Sequence, residues 1–442
     1  MKKPDKPKPL GALFGELDNQ RLVALLASGG QSHGQKYLHW DELRRRPSPE
    51  GLTHNEWWLL TKLGRRQVQR NIPLKDNEGQ PFSYCLTDTL LEKLPTLDRR
   101  ASGSIAANDQ VVNAGQRDRY IISSLIEEAI TSSQLEGAVT TRRDAVDMLR
   151  SGRPPRDRSE QMIVNNFQAM QQIIDWKDEP ITPEKLLHLQ RIVTEHTLDN
   201  PDGAGRLQTP ADKRVVVWDD VDSQTLHTPP PAAELPARIK ALCDFANEPE
   251  GEGPYLHPVV RAIILHFWLA YDHPFEDGNG RTARALFYWA MLNRGYWLFE
   301  FVSISTLIKK APAAYARAFL YTETDENDLT YFILHQLGII LRAVDALEAY
   351  IQRKSKETVQ LDRYLRNSEK YNHRQKALLA HALKHPSAVY SIESHQRSHN
   401  TAYATARADL LKLVKAGILR QSKVGRAMRF SPVANLERKL TK

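Results

Sequence analysis

Twelve residues of dense polar chemistry, His273-Pro274-Phe275-Glu276-Asp277-Gly278-Asn279-Gly280-Arg281-Thr282-Ala283-Arg284, lie between two apolar runs at helical spacing. Ile263, Ile264, Phe267, Trp268 and Tyr271 lead in, and Ala283, Leu286, Phe287, Ala290 and Met291 lead out. A polar loop gripped by two buried helices has few ways to fold. Pro274 disfavours helix at His273, so the first helix ends there and its imidazole is free to face a cleft. Gly278 and Gly280 flank Asn279, a turn that can take positive φ and aim successive N–H groups at one point. That point is also the N-terminus of the second helix, where unpaired amides and the dipole attract an anion. Arg281 and Arg284 share one face of its first turn, where a cation is disfavoured unless a multiply charged anion lies between the two. Asp277 sets a hard oxygen ligand beside that anion, as Mg²⁺ is usually held. The stretch predicts a nucleotide di- or triphosphate site with His273 as a base at its edge.

The pattern His-Pro-Phe-x-Asp-Gly-Asn-Gly-Arg-x-x-Arg resembles the signature of the Fic (filamentation induced by cAMP) family at every defining position. The resemblance implies a mainly α-helical core and transfer of AMP from Mg·ATP to a Ser, Thr or Tyr hydroxyl of a target protein or of the chain itself. It makes His273 the general base and Asp277 the Mg²⁺ ligand. Asn279 and the amides of Gly278 and Gly280 would hold the α-phosphate, with Arg281 and Arg284 on the β- and γ-phosphates. Relatives that transfer a phosphate instead carry lysine at the position of Gly278, so glycine favours AMP transfer.

A second segment points at the first. Ile121, Ile122, Leu125, Ile126 and Ala129 recur at helical spacing and run into Ser132-Ser133-Gln134-Leu135-Glu136-Gly137. Gly137 ends the helix in a left-handed turn, leaving Glu136 in the last turn, where a carboxylate opposes the macrodipole. A cation opposite would stabilise it, and Arg284 is the candidate. Ser132-x-x-x-Glu136-Gly137 is similar to the inhibitory motif of Fic proteins whose inhibitory helix precedes the core. There the glutamate pairs with the second signature arginine and binds ATP unproductively. Two rival functions remain open: a hydrolase that removes AMP with Glu136 positioning water, and a DNA-binding regulator with an ATP-sensing site.

Arg214-Val215-Val216-Val217-Trp218, a polar turn and Leu226-His227-Thr228 spell a short β-hairpin closed by three prolines. It resembles the flap with which Fic proteins hold a target segment by strand pairing, which would make Val215, Val216, Val217 and Trp218 the docking strand. Gly203-Ala204-Gly205-Arg206 matches another element of the family, although Arg206 by itself suits a surface ion pair. His257, His266 and His273 lack the i, i+4 spacing of a helical zinc site, so His257-Pro258 is expected to start a helix and His266 to lie in the core.

Length and charge divide the 442 residues further. Residues 1–12 are basic, contain prolines and suggest a disordered tail; 13–115 suggest an N-terminal domain with Trp40, Trp57 and Trp58 as core anchors. Residues 116–355 form the expected catalytic core, 356–370 a charged linker, and 371–442 three helices and a hairpin that look like a winged helix. Of the net charge of +8, the segment from Tyr371 carries +11, from 14 Lys and Arg against 3 Asp and Glu. DNA is therefore a candidate partner, through Thr401, Tyr403, Thr405 and Arg407 on the third helix. No apolar run reaches the roughly 20 residues of a membrane span. Cys85 and Cys243 have no metal-ligand spacing around them, and the cytoplasm is the expected location. The target and self-association are left open, a homodimer included.

Overall fold

The computed structural model describes residues 2–27, 36–102, 114–219, 224–249, 251, 254–384, 388–424, 427–433 and 436–440. The chain divides into two compact units, Met1–Ile105 with Ser123–Val344, and Ala106–Ile122 with Asp345–Lys442. In order, the elements used below are α1 (His54–Gln67), β1 (Gln69–Lys75), β2 (Pro81–Cys85), α2 (Asp88–Ala101), α3 (Ala114–Leu135), α4 (Arg142–Ser151), α5 (Arg158–Asp175) and α6 (Pro183–Thr194). They continue with β3 (Val217–Asp219), β4 (Gln224–His227), α7 (Leu235–Asn247), α8 (Pro258–Asp272), α9 (Asn279–Asn293), α10 (Pro312–Thr324) and α11 (Thr330–Asn367). The last are α12 (His373–Lys384), α13 (Ile392–His399), α14 (Tyr403–Lys415), β5 (Leu419–Val424) and β6 (Ala427–Pro432).

The centre of the first unit is the pair α8 and α9. Nearly every residue of both is buried, including the polar Asn279, Arg281, Thr282 and Arg284 in the first turns of α9, so neither helix has a broad solvent face. His257 caps α8, its ring accepting from Val259 N–H, and His266 is fully buried, both as the sequence suggests. The helices laid around this pair start at side-chain caps. Thr141, Asp157 and Thr182 accept N–H bonds at the starts of α4, α5 and α6, and Pro183 and Pro258 take the first helical position. Among the described residues the strands form three two-stranded antiparallel ribbons, with isolated bridges at Ser83–Asp328 and Tyr390–Phe430.

The expected N-terminal domain does not stand apart, since its residues share one compact unit with the catalytic segment. The β1–β2 hairpin is stitched to the turn before α11 by Ser83 N–H to Asn327 O (3.1 Å) and Leu329 N–H to Ser83 O (2.8 Å). Lys62 of α1 places Nζ 2.8 Å from the buried Asp325 Oδ1. Trp57 and Trp58 do anchor a core, with Leu10, Leu13 and Leu43, while Trp40 packs at its edge. The tail is likewise held, because Pro4 is buried, Asp5 pairs with Arg44, and a helix already begins at Leu10.

In the second unit α12, α13 and α14 precede the β5–β6 hairpin, with Leu379, Leu410, Leu413, Ile418 and Phe430 in its core. Thr401 lies before α14 rather than on it. The expected linker is mostly helix: α11 runs to Asn367 and buries Leu361 and Leu365 in this core. Leu361 and Leu365, four apart, share the helix face that packs into this core. Gly425 and Arg426 of the expected turn lie outside the described residues. No described helix is long and apolar enough to cross a membrane.

Candidate active site

Arg284 is buried on the second turn of α9, and its guanidinium points at the end of α3. Nε donates to Ser132 Oγ at 2.9 Å, and Nη2 donates to Ser132 O at 3.0 Å and to Glu136 Oε1 at 2.8 Å. The expected pair of Glu136 with Arg284 is therefore made, and Ser132 supplies its other acceptors. Glu136 keeps 28% of its side chain exposed against 3% for Arg284, so the carboxylate closes over the arginine from the cleft side. Gly280 makes this approach available. A Cβ built there would overlap Glu136 Oε1 and lie 2.9 Å from its Cδ. Gly137, at φ +96, ends the segment in the left-handed turn its sequence suggests.

His273 caps α8 in the left-handed region at φ 46, an uncommon conformation for a non-glycine residue. Desolvation, reinforced by the nearby His227 and only partly offset by a hydrogen bond to the Ala270 backbone, lowers its pKa to about 4. At neutral pH the imidazole is thus uncharged and can accept a proton. Gly278, at φ +83, caps α9, and a Cβ there would sit 2.7 Å from Thr194 Cγ2.

The side chain of Asn279 builds the loop itself. Its Oδ1 accepts from Phe275 N–H (2.9 Å) and its Nδ2 donates to Phe275 O (2.8 Å), so both polar atoms hold the turn and leave anion contacts to backbone amides. Arg281 also differs from expectation. It is fully buried, donating from Nη1 to Val193 O at 2.6 Å and from Nη2 to Asp277 Oδ2 at 3.1 Å, with Nε unpartnered. Its fork ties α6 to Asp277 from beneath the loop. Asp277 stays 39% exposed while Oδ1 accepts the Gly278 N–H at 2.5 Å. Among the described residues no cluster of three His, Cys, Asp or Glu could hold a metal ion. A cation here would have one carboxylate and otherwise substrate oxygens and water, a donor set that fits Mg²⁺.

Several organising residues carry no sequence signal of their own. Arg214 donates from Nη2 to Asp272 O (2.7 Å), from Nη1 to His273 O (2.9 Å) and from Nε to Pro230 O (2.9 Å). It satisfies carbonyls at the end of α8 and fixes the backbone of His273. Gln190 Nε2 supports the loop by donating to Asp277 O at 3.0 Å. Because Arg214 is anchored there, Val215 and Val216 precede the ribbon, and the expected strand is corrected to Val217–Asp219, paired antiparallel with Gln224–His227. Of the four candidate docking residues only Val217 and Trp218 lie in a strand. His227, at the end of β4, lies 2.7 Å from both Tyr271 O and Glu323 Oε2, pinning the ribbon beside His273. Arg206 pairs with Asp212 at 2.7 Å, the surface ion pair its position suggests.

Residues 180–291, which hold α6, the ribbon and the α8–loop–α9 unit, match the Fic/DOC family model. The protein adenylyltransferase Fic of Nematostella vectensis is 34% identical over 120 residues, 27% of this chain and 25% of that protein. That of Drosophila willistoni is 37% identical over 70 residues, 16% of this chain and 14% of its own. The matched stretch thus spans a quarter or less of these relatives' length. A solved structure of a Fic family protein from Desulfovibrio desulfuricans G20 shares the fold, with a TM-score of 0.53 at 18% identity over 80% of this chain and 98% of that one. This stretch, with the signature loop folded between its two buried helices, is where the chain is similar to the Fic/DOC family.

Proposed function

We propose that the protein is an adenylyltransferase that moves AMP from Mg·ATP to a Ser, Thr or Tyr hydroxyl of a target protein or of itself, restrained by Glu136. The observation that carries this reading is the uncharged His273 beside a helix N-terminus whose second-turn arginine, Arg284, is closed off by Glu136. The relatives named protein adenylyltransferase support the same reaction.

In the step proposed, the target hydroxyl gives its proton to His273 as its oxygen bonds to the α-phosphorus. The bond from that phosphorus to the bridging oxygen breaks, and pyrophosphate leaves. Mg²⁺ bound at Asp277 would neutralise phosphate charge. The first amides of α9, at Asn279, Gly280 and Arg281, face the phosphates, and Arg284 takes the terminal phosphate once Glu136 withdraws. Arg281 keeps Asp277 in position. The β3–β4 ribbon, through Val217 and Trp218, is the docking strand for the target segment. The C-terminal unit is a second contact module of winged-helix type, with Tyr403 and Arg407 exposed on α14 toward DNA phosphates.

Wild type, Glu136→Gly and His273→Ala are incubated with Mg²⁺ and ATP labelled at the α- or the γ-phosphate, and covalent label is scored on the protein and on lysate. Label from the α position alone, stronger in Glu136→Gly and absent in His273→Ala, is expected. No label in any form would overturn AMP transfer, and γ-label alone would mean phosphotransfer. Release of AMP from a pre-labelled target would favour the hydrolase.

A further inference from the structure

Three contacts join α3 to α9 in register. Glu128 meets Tyr288, Ser132 meets Arg284, and Glu136 lies against Gly280. Each four-residue step up α3 is matched by a four-residue step down α9, so the helices run antiparallel with their four-residue rows aligned. The outer two rungs are the inhibitory contact. The innermost, Glu128, lies eight residues from Glu136, about 12 Å along the helix axis.

Glu128 is almost fully buried. Its Oε2 lies 2.9 Å from the Tyr288 hydroxyl, 2.8 Å from Ser303 Oγ and 3.1 Å from Ser305 N, and Oε1 accepts from Ser305 Oγ. The Tyr288 hydroxyl also accepts the Ile304 N–H at 2.8 Å. Four donors from residues 288 to 305 therefore converge on one carboxylate, and no cation shares it in these contacts. Such a site holds the anion chiefly by directional hydrogen bonds, with added attraction from Arg284, and it resists sliding and rotation of the helix that carries it. A turn of α3 about its axis would unpair both Ser305 donors and leave Tyr288 and Ser303 with their second partners, Val302 O at 3.1 Å and Thr306 Oγ1 at 2.8 Å.

We propose that Glu128 is a positioning residue for the inhibitory contact: its four-donor socket fixes the phase and register of α3, so that Ser132 and Glu136 fall on Arg284 and Gly280. The proposal rests on Glu136 being inhibitory. Residues 303–305 then form the handle through which a binding event outside the nucleotide site could lift Glu136 from Arg284.

The test uses the full chain. Glu128→Gln keeps the shape but turns an amide N–H₂ toward donors. Amide hydrogen exchange at residues 132–137 is expected to accelerate by about tenfold or more, the scale of one lost hydrogen bond to a charged group, with α9 unchanged. Labelling from α-labelled ATP should rise toward that of Glu136→Gly, and the double variant should match Glu136→Gly alone, since both act on one contact. Tyr288→Phe and Ser305→Ala, each deleting one donor, should move both readouts the same way by less, which guards against misfolding of Glu128→Gln. Unchanged exchange in Glu128→Gln overturns the proposal. So does a rise in labelling with Glu136→Gly but not with Glu128→Gln, or additivity in the double variant. Faster exchange with no gain in labelling in either variant would uphold the positioning role and sink the AMP-transfer reading instead.

Discussion

Replacing Glu136 with glycine removes one contact and leaves the rest of the arginine socket standing. Arg284 keeps its bonds to Ser132 Oγ (2.9 Å) and Ser132 O (3.0 Å), so the guanidinium stays where it is and loses only the carboxylate at 2.8 Å. A hydrogen bond to a charged group contributes about 1.5–3 kcal/mol. Because 28% of the Glu136 side chain is exposed, screening puts this pair at the low end, about 1.5 kcal/mol. If transfer needs Arg284 free, the reactive population grows about tenfold. The measurement is the initial rate of AMP incorporation at fixed Mg·ATP. Ser132→Ala is the control. It deprives the buried Nε–H of its acceptor and loosens Arg284 while leaving Glu136 in place, so the rate should not rise. Equal rates for wild type and Glu136→Gly would refute the reasoning, and Ser132→Ala as fast as Glu136→Gly would place the restraint elsewhere than in the carboxylate.

Acid should destabilise the fold earlier than its carboxylates alone would. Burial lowers His39 to about 4 and His266 to about 3, from 6.5. The folded state then binds fewer protons than the unfolded one, so stability is full above pH 6.5 and falls as pH drops toward 4. His39 alone accounts for about 3 kcal/mol across that window. The melting temperature should decline from pH 7 to 4.5, and a flat profile would contradict the buried, uncharged assignment. Gly278→Ala should lower both the melting temperature and transfer, at a cost of about 1–3 kcal/mol, because it combines φ +83 with a 2.7 Å approach to Thr194. An unaffected melting temperature would show that the loop relaxes freely. Cutting the ribbon's tie with His227→Ala should raise KM for the target while ATP affinity stays constant. Weakened ATP binding would mean that His227 serves the nucleotide loop instead.

The sequence by itself determined what local chemistry can determine. Pro274 after His273, glycines at 278 and 280, and apolar periodicity on both sides of the loop fixed two buried helices and the turn between them. Those signals act within a few residues, so they can be read without knowing the neighbours. The pairing of Glu136 with Arg284, 148 residues apart, could be named because each residue is unfavourably placed against its own helix dipole and because the Ser132-to-Gly137 segment resembles the inhibitory motif of Fic proteins.

Tertiary structure decided which partner each polar group obtained. Asn279 and Arg281 turned inward to hold the loop, a choice set by the nearness of Phe275 and Val193. Arg214 looks like the first residue of a strand but caps the end of α8, and that delays β3 to Val217. The tail and the linker read as polar and the N-terminal segment as a domain of its own, yet Pro4, the Ser83 bridge and Leu361 with Leu365 tie them into compact units. A few buried contacts offset the ordering of such segments, and contacts of that kind depend on surfaces the rest of the chain builds.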